Sequence, residues 1–180
     1  MAKSDRKTID KVFILLGLAT TVVLLVVGSL SWYAYRFATN SVRTELSAQK
    51  VYFPPKGSPA LDPAEFPDLQ KYAGQLVDNG PKAKAYANGF IGRHLEKVAG
   101  GKTYSEVSTL SKADPTNAKL QQQKQTLFQG ETLRGLLLGD GYAYWTFGLI
   151  AQYAAIAAFA GAAVMVLLVL FGLRHIARTK

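Results

Sequence analysis

Two long runs without a charged residue bracket a polar middle, and this arrangement constrains the chain more than any motif does. The first run, Val12 to Leu30, has nineteen residues, thirteen of them Val, Leu, Ile or Phe. As a helix it is roughly 29 Å long, close to the ~30 Å thickness of a bilayer's hydrocarbon core. Trp32, Tyr33 and Tyr35 follow at once, the amphipathic rings that mark a membrane interface. The second run is preceded by Tyr142, Tyr144 and Trp145 and continues uncharged to Leu173. It is longer than one crossing needs, so tilt is expected. The first run also exceeds the ~7–15 residue core of a cleaved signal, so it reads as a retained span. The expected fold class is an all-α membrane protein, with two transmembrane helices flanking a small helical segment that carries a Pro-rich strap.

Charge sets the expected topology. The net charge is +9, and its densest parts are the two tails. Lys3, Arg6, Lys7 and Lys11 precede the first span; Arg174, Arg178 and Lys180 follow the second. Short basic tails stay on the cytoplasmic side, whereas a long loop crosses regardless of its charge. The expected organisation is therefore a cytoplasmic tail 1–11, span 12–35 with its aromatic belt, an extracytoplasmic segment 36–141, span 142–173 and a cytoplasmic tail 174–180. The expected location is the cell membrane, with both termini on its cytoplasmic side. Basic residues divided between two sides form no single patch, so a nucleic-acid partner is not expected.

The second span carries small residues in its first half. Ala154, Ala158 and Ala162 recur at four-residue spacing, with Ala157 and Gly161 beside them. Small side chains on one face let helix backbones approach closely, so this face is expected to pack on a partner. Gln152 is the one strongly polar side chain in that run.

Between the spans, 36–50 extends the first helix. Residues 51–67 carry five prolines and must run extended, because proline lacks a donor and restricts the residue before it. With Tyr52, Phe53 and Phe66, this strap is expected to lie across a partner's surface. Asp68 to Val77 reads as a short helix. Pro81 opens another, with Tyr86, Phe90, Ile91, Leu95 and Val98 as its apolar stripe, and Gly100-Gly101 ends it. Thr103 to Glu106 has the spacing of a capping box. Asp114-Pro115 begins the next helix, and Gly139-Asp140-Gly141 is expected to break it above the second span. The segment is short for a self-sufficient core.

Chemistry-bearing residues are sparse. No cysteine is present, which excludes disulfides, thiolate nucleophiles and Cys-based metal sites. His94 and His175 are the two histidines, expected on opposite sides of the membrane. His94 reads as a helix-surface residue, and His175 marks the cytoplasmic interface. No Gly-x-Ser-x-Gly elbow or P-loop occurs, and neither apolar run holds the ionisable groups that ion pathways use. No catalytic, metal or cofactor-binding residue is expected.

From Tyr86 to Val107 the chain reads YANGFIGRHLEKVAGGKTYSEV. This resembles an actinobacterial family of two-span membrane proteins with a basic N-terminus, an AYAN/H/GGKTY-type extracytoplasmic stretch and a second C-terminal span. Members often carry the label aromatic ring-opening dioxygenase. A non-haem iron site of that kind wants two histidines and a carboxylate on one face, so the label carries over to no residue here. The resemblance implies membrane location.

The expected function is a non-enzymatic accessory subunit aiding assembly or stability of a large membrane complex. Its expected partners are integral membrane subunits and the lipid bilayer. Lineage and complex type point to the actinobacterial respiratory cytochrome bcc–aa3 supercomplex. The alternative is an independent extracytoplasmic sensor or ligand-binding protein. That alternative predicts a stable isolated 36–141 domain with its own pocket; the accessory reading predicts a poorly folded one.

Overall fold

An uncharged run flanked by good helix formers has no internal signal to stop, and helix α1 runs from Lys3 to Ala48, well past the aromatic belt. Lys50 ends the turn beyond it in the left-handed conformation, φ 54°. The computed structural model describes residues 3–178, so Lys180 and the rest of 1–2 and 179–180 lie outside the described residues. Helices α2 (Gly80–Lys84) and α3 (Arg93–Ala99) are joined by a π-helical stretch, Ala85–Gly92. Then come α4 (Tyr104–Ala113) and α5 (Ala118–Leu136). A second π-helical stretch, Leu137–Ala143, leads straight into α6 (Tyr144–Arg178). The only extended pairing among the described residues is an isolated antiparallel bridge, Tyr52 with Leu76. The protein is all-α, and two of its helices are long and apolar enough to cross a membrane.

The chain divides into two compact units. The first holds residues 1–37 and 148–180, an antiparallel pair made by α1 and α6. Along α1, Ile14, Gly17, Thr21, Leu24, Gly28 and Ser31 turn inward, spaced alternately three and four. That is coiled-coil spacing. Opposite them Gly148, Ala155, Ala158, Ala162 and Val169 are buried. The fit is close: a Cβ on Gly17 would lie 2.7 Å from Val169 Cγ2, and one on Gly28 would lie 2.8 Å from the Phe159 ring. Thr21 returns its hydroxyl to the Gly17 carbonyl at 2.8 Å, so the seam buries no unpaired hydroxyl there.

The second unit, residues 38–147, has its own apolar core. Val42, Leu46, Phe53, Leu61, Phe66, Leu69, Val77, Ile91, Leu95, Val107, Leu127 and Leu137 are buried together. The buried set spans 42–137, so the segment expected to be short for a self-sufficient core does contribute an apolar interior to the chain. The strap supplies a large share of it. Phe53 N–H donates to Gln75 O (3.0 Å) and Val77 N–H to Val51 O (2.9 Å), which anchors the strap's start. Pro59–Leu61 and Pro67–Tyr72 are 3₁₀ helices, so the expected helix over 68–77 is a six-residue 3₁₀ segment followed by an extended return.

Local signals fare unevenly. Thr103 caps α4 and Glu106 completes the box, as its spacing predicts. Gly100 ends α3 at φ 60°. Asp114 is not the cap of α5; Asn117 is, accepting from Leu120 N–H at 3.2 Å. Gly139-Asp140-Gly141 does not break the helix. The backbone widens to π geometry instead, and Gly141 serves close approach, since a Cβ there would lie 2.9 Å from Ala83 Cβ.

Candidate interaction site

The segment 86–107 folds as the π-helical stretch with α3 and the start of α4, and the strap lies against it. A ladder of rings explains how. Tyr86, Phe90 and His94 follow one another along the helix, with centroids 5.0 and 5.3 Å apart. Phe53 meets Tyr86 edge-on at 5.0 Å and stacks on Tyr72 at 5.2 Å. Phe66 lies 5.8 Å from Phe90 and 6.3 Å from His94. Aromatic pairs at such distances and angles add to simple area burial. Burial pushes the Tyr86 phenol above its ordinary range. Gly89 makes the approach possible, since a Cβ there would lie 2.9 Å from Leu69 Cδ2.

Phe53 and Phe66 are each 1% exposed, so they belong to this chain's own core and do not face a partner. That corrects their expected docking role: the sequence marks an apolar surface but not whose surface it covers. Tyr52 remains outside, 55% exposed. His94 is exposed at the open end of the ladder.

Charged groups close the edge. Arg93 donates to both carboxylate oxygens of Asp68, at 2.8 and 3.0 Å, and to the Glu65 carbonyl. That guanidinium holds the Asp68 carboxyl below the usual carboxylate range. Lys97 pairs with Glu65. Arg134 binds Glu131 and donates to Asn88 Oδ1 at 3.2 Å.

Two grooves open on the second unit. A shallow one of about 380 Å³ is lined by Asp68, Lys71, Tyr72, Lys84, Asn88 and Arg93. Lys84 Nζ donates to the Tyr142 hydroxyl at 3.2 Å and sits 4.5 Å from that ring's centroid. A more apolar one, about 360 Å³, has Glu45 and Asp140 among Leu46, Leu136 and Tyr144. Among the described residues no group of three or more His, Cys, Asp or Glu is arranged to hold a metal.

On the first unit, the expected small-residue face is split. Ala158 and Ala162 are buried, 6% and 3% exposed, in the seam with α1. Gly161 borders that seam, with Leu24 3.4 Å from its Cβ position. Ala154 and Ala157 point outward. The partner of half this face is therefore α1. Gly17, Thr21 and Gly28 complete the seam; their spacing of four and then seven in the first apolar run was the signal for it. His175 lies near the end of α6, lining a groove with Asp10 and Ile14.

No family model, curated protein or solved structure matches the chain.

Proposed function

We propose that this chain is a non-enzymatic accessory protein of the cell membrane, which binds other integral membrane subunits and aids their assembly or stability. The observation that carries this reading is the second small-residue face of α6. Ala158 and Ala162 are occupied by α1, while Ala154 and Ala157 stay exposed. They lie amid large exposed apolar side chains, among them Ile150, Tyr153 and Ile156. Outward small residues on an apolar helix leave a shallow trough that admits a further helix backbone. The basic tails support a topology with both termini cytoplasmic and residues 36–141 outside. Lineage and complex type, rather than any motif, favour the respiratory cytochrome bcc–aa3 supercomplex as the assembly. Copurification tests this: a tagged copy drawn from mild detergent brings the complex's subunits in fixed stoichiometry, and recovery of the chain alone contradicts it.

A second reading, an extracytoplasmic sensor or ligand-binding module, draws support from the core and grooves of residues 38–147. It expects ligand-dependent stabilisation of that unit without any copurifying subunit.

A further inference from the structure

The shallow groove of the second unit has a charge that neither reading uses. Three cations line it, Lys71, Lys84 and Arg93, against one carboxylate, Asp68. Arg93 and Asp68 satisfy one another through two parallel hydrogen bonds. Neither Lys71 nor Lys84 forms a direct ion pair among the described residues, although the Lys71 charge acts on Asp68 from a distance; each sits by a tyrosine ring, Lys71 5.0 Å from the Tyr72 centroid and Lys84 on Tyr142. Asn88 also lines the groove, and because its carbonyl oxygen is taken by Arg134, its amide N–H groups are left as donors. Two ammonium groups and an amide donor on an open surface suit a phosphate better than a carboxylate, which a bidentate guanidinium would fit more closely.

Depth identifies the source of that phosphate. Tyr142 and Trp145 open the second apolar run, where amphipathic rings sit at the level of lipid headgroups. Lys84 is bonded to Tyr142, and Gly80, one turn before it, packs directly on Trp145, where a Cβ would lie 2.5 Å from the side chain. The groove is thus held to the interface by the residues that mark it. We propose that Lys71 and Lys84, with Asn88, bind the phosphate of an anionic phospholipid headgroup. The inference rests on the membrane reading of the two long helices.

Native mass spectrometry of the full chain in mixed micelles of phosphatidylglycerol and phosphatidylcholine tests it. The wild type is expected to retain phosphatidylglycerol in several-fold preference, and K71Q/K84Q to lose most of that preference. A control pair on the same unit, K102Q/K112Q, keeps it. Equal retention by wild type and K71Q/K84Q overturns the proposal, as does an equal loss in the control pair, which would mean net charge alone. A wild-type chain that retains millimolar inorganic phosphate but no phosphatidylglycerol would overturn the lipid assignment. Failure of the membrane reading shows separately, as release of the chain from membranes by alkaline carbonate.

Discussion

Thr103 and Glu106 show how much of a helix end can be set by two side chains. Thr103 N–H and its hydroxyl both donate to the Glu106 carboxylate, at 2.7 and 2.8 Å, and Glu106 N–H returns to the Thr103 hydroxyl. Removing an N-cap costs about 1 kcal/mol, so T103A is expected to lower the unfolding free energy by that amount in a denaturant titration. The same bonds pull the Glu106 carboxyl below its ordinary range, the backbone N–H first. Arg93 does the same to Asp68. A carboxyl depressed in the folded state adds stability above its unfolded value, near 4, and loses it as pH falls through the lower folded value. The melting temperature is therefore expected to fall on acidification below about pH 4, and by less in a D68N variant. The capping box was legible because all its information lies within four residues. At 114–117 two cap formers compete. The Asp114 carboxylate takes Thr116 Oγ1 and Asn117 Nδ2, which leaves Asn117 Oδ1 to cap α5.

At the scale of elements, glycine carries the least legible information. A glycine at a helix end and one at a close crossing look alike in sequence. Gly100 is the first kind; Gly80, Gly130 and Gly141 are the second. A Cβ on Gly80 would meet Trp145 Cβ and Cγ at 2.5 Å, atoms too near the backbone to swing away. G80A is expected to destabilise by about 1–3 kcal/mol through overpacking. A Cβ on Gly135 meets nothing within 4 Å, so G135A is expected to raise stability by up to about 1 kcal/mol. Thermal melts in detergent read both. The α1–α6 seam gives another test, since the chain has no cysteine background. L24C/G161C is expected to cross-link within the molecule through a short bifunctional thiol reagent, and T20C/G161C not, because Leu24 faces Gly161 and Thr20 is on the exposed side. Sequence periodicity found that Ala158 and Ala162 pack. It did not reveal that α1 covers them, because a small-residue face is equally suited to a helix of the same chain or another.

For the whole molecule, composition decided most. Two uncharged runs fixed the all-α class and the two long apolar helices, since a bilayer-length apolar stretch satisfies its backbone only as a helix. The middle was harder, because its core is assembled from residues far apart. Phe53 and Phe66 on the strap reach Tyr86 and Phe90 on the helix, and no local pattern announces that pairing. That core lies inside the unit of residues 38–147; a fragment of those residues is expected to melt without a cooperative transition by circular dichroism if the chain is an accessory subunit, and a sharp transition favours the sensor reading. The central claim is that this unit stands outside the cell on two spans whose ends are cytoplasmic. Single cysteines at the exposed positions Lys102 and Arg178, probed in intact cells with a membrane-impermeant maleimide, test it directly. K102C is expected to label at once and R178C only after permeabilisation; labelling of R178C but not K102C in intact cells would contradict this topology.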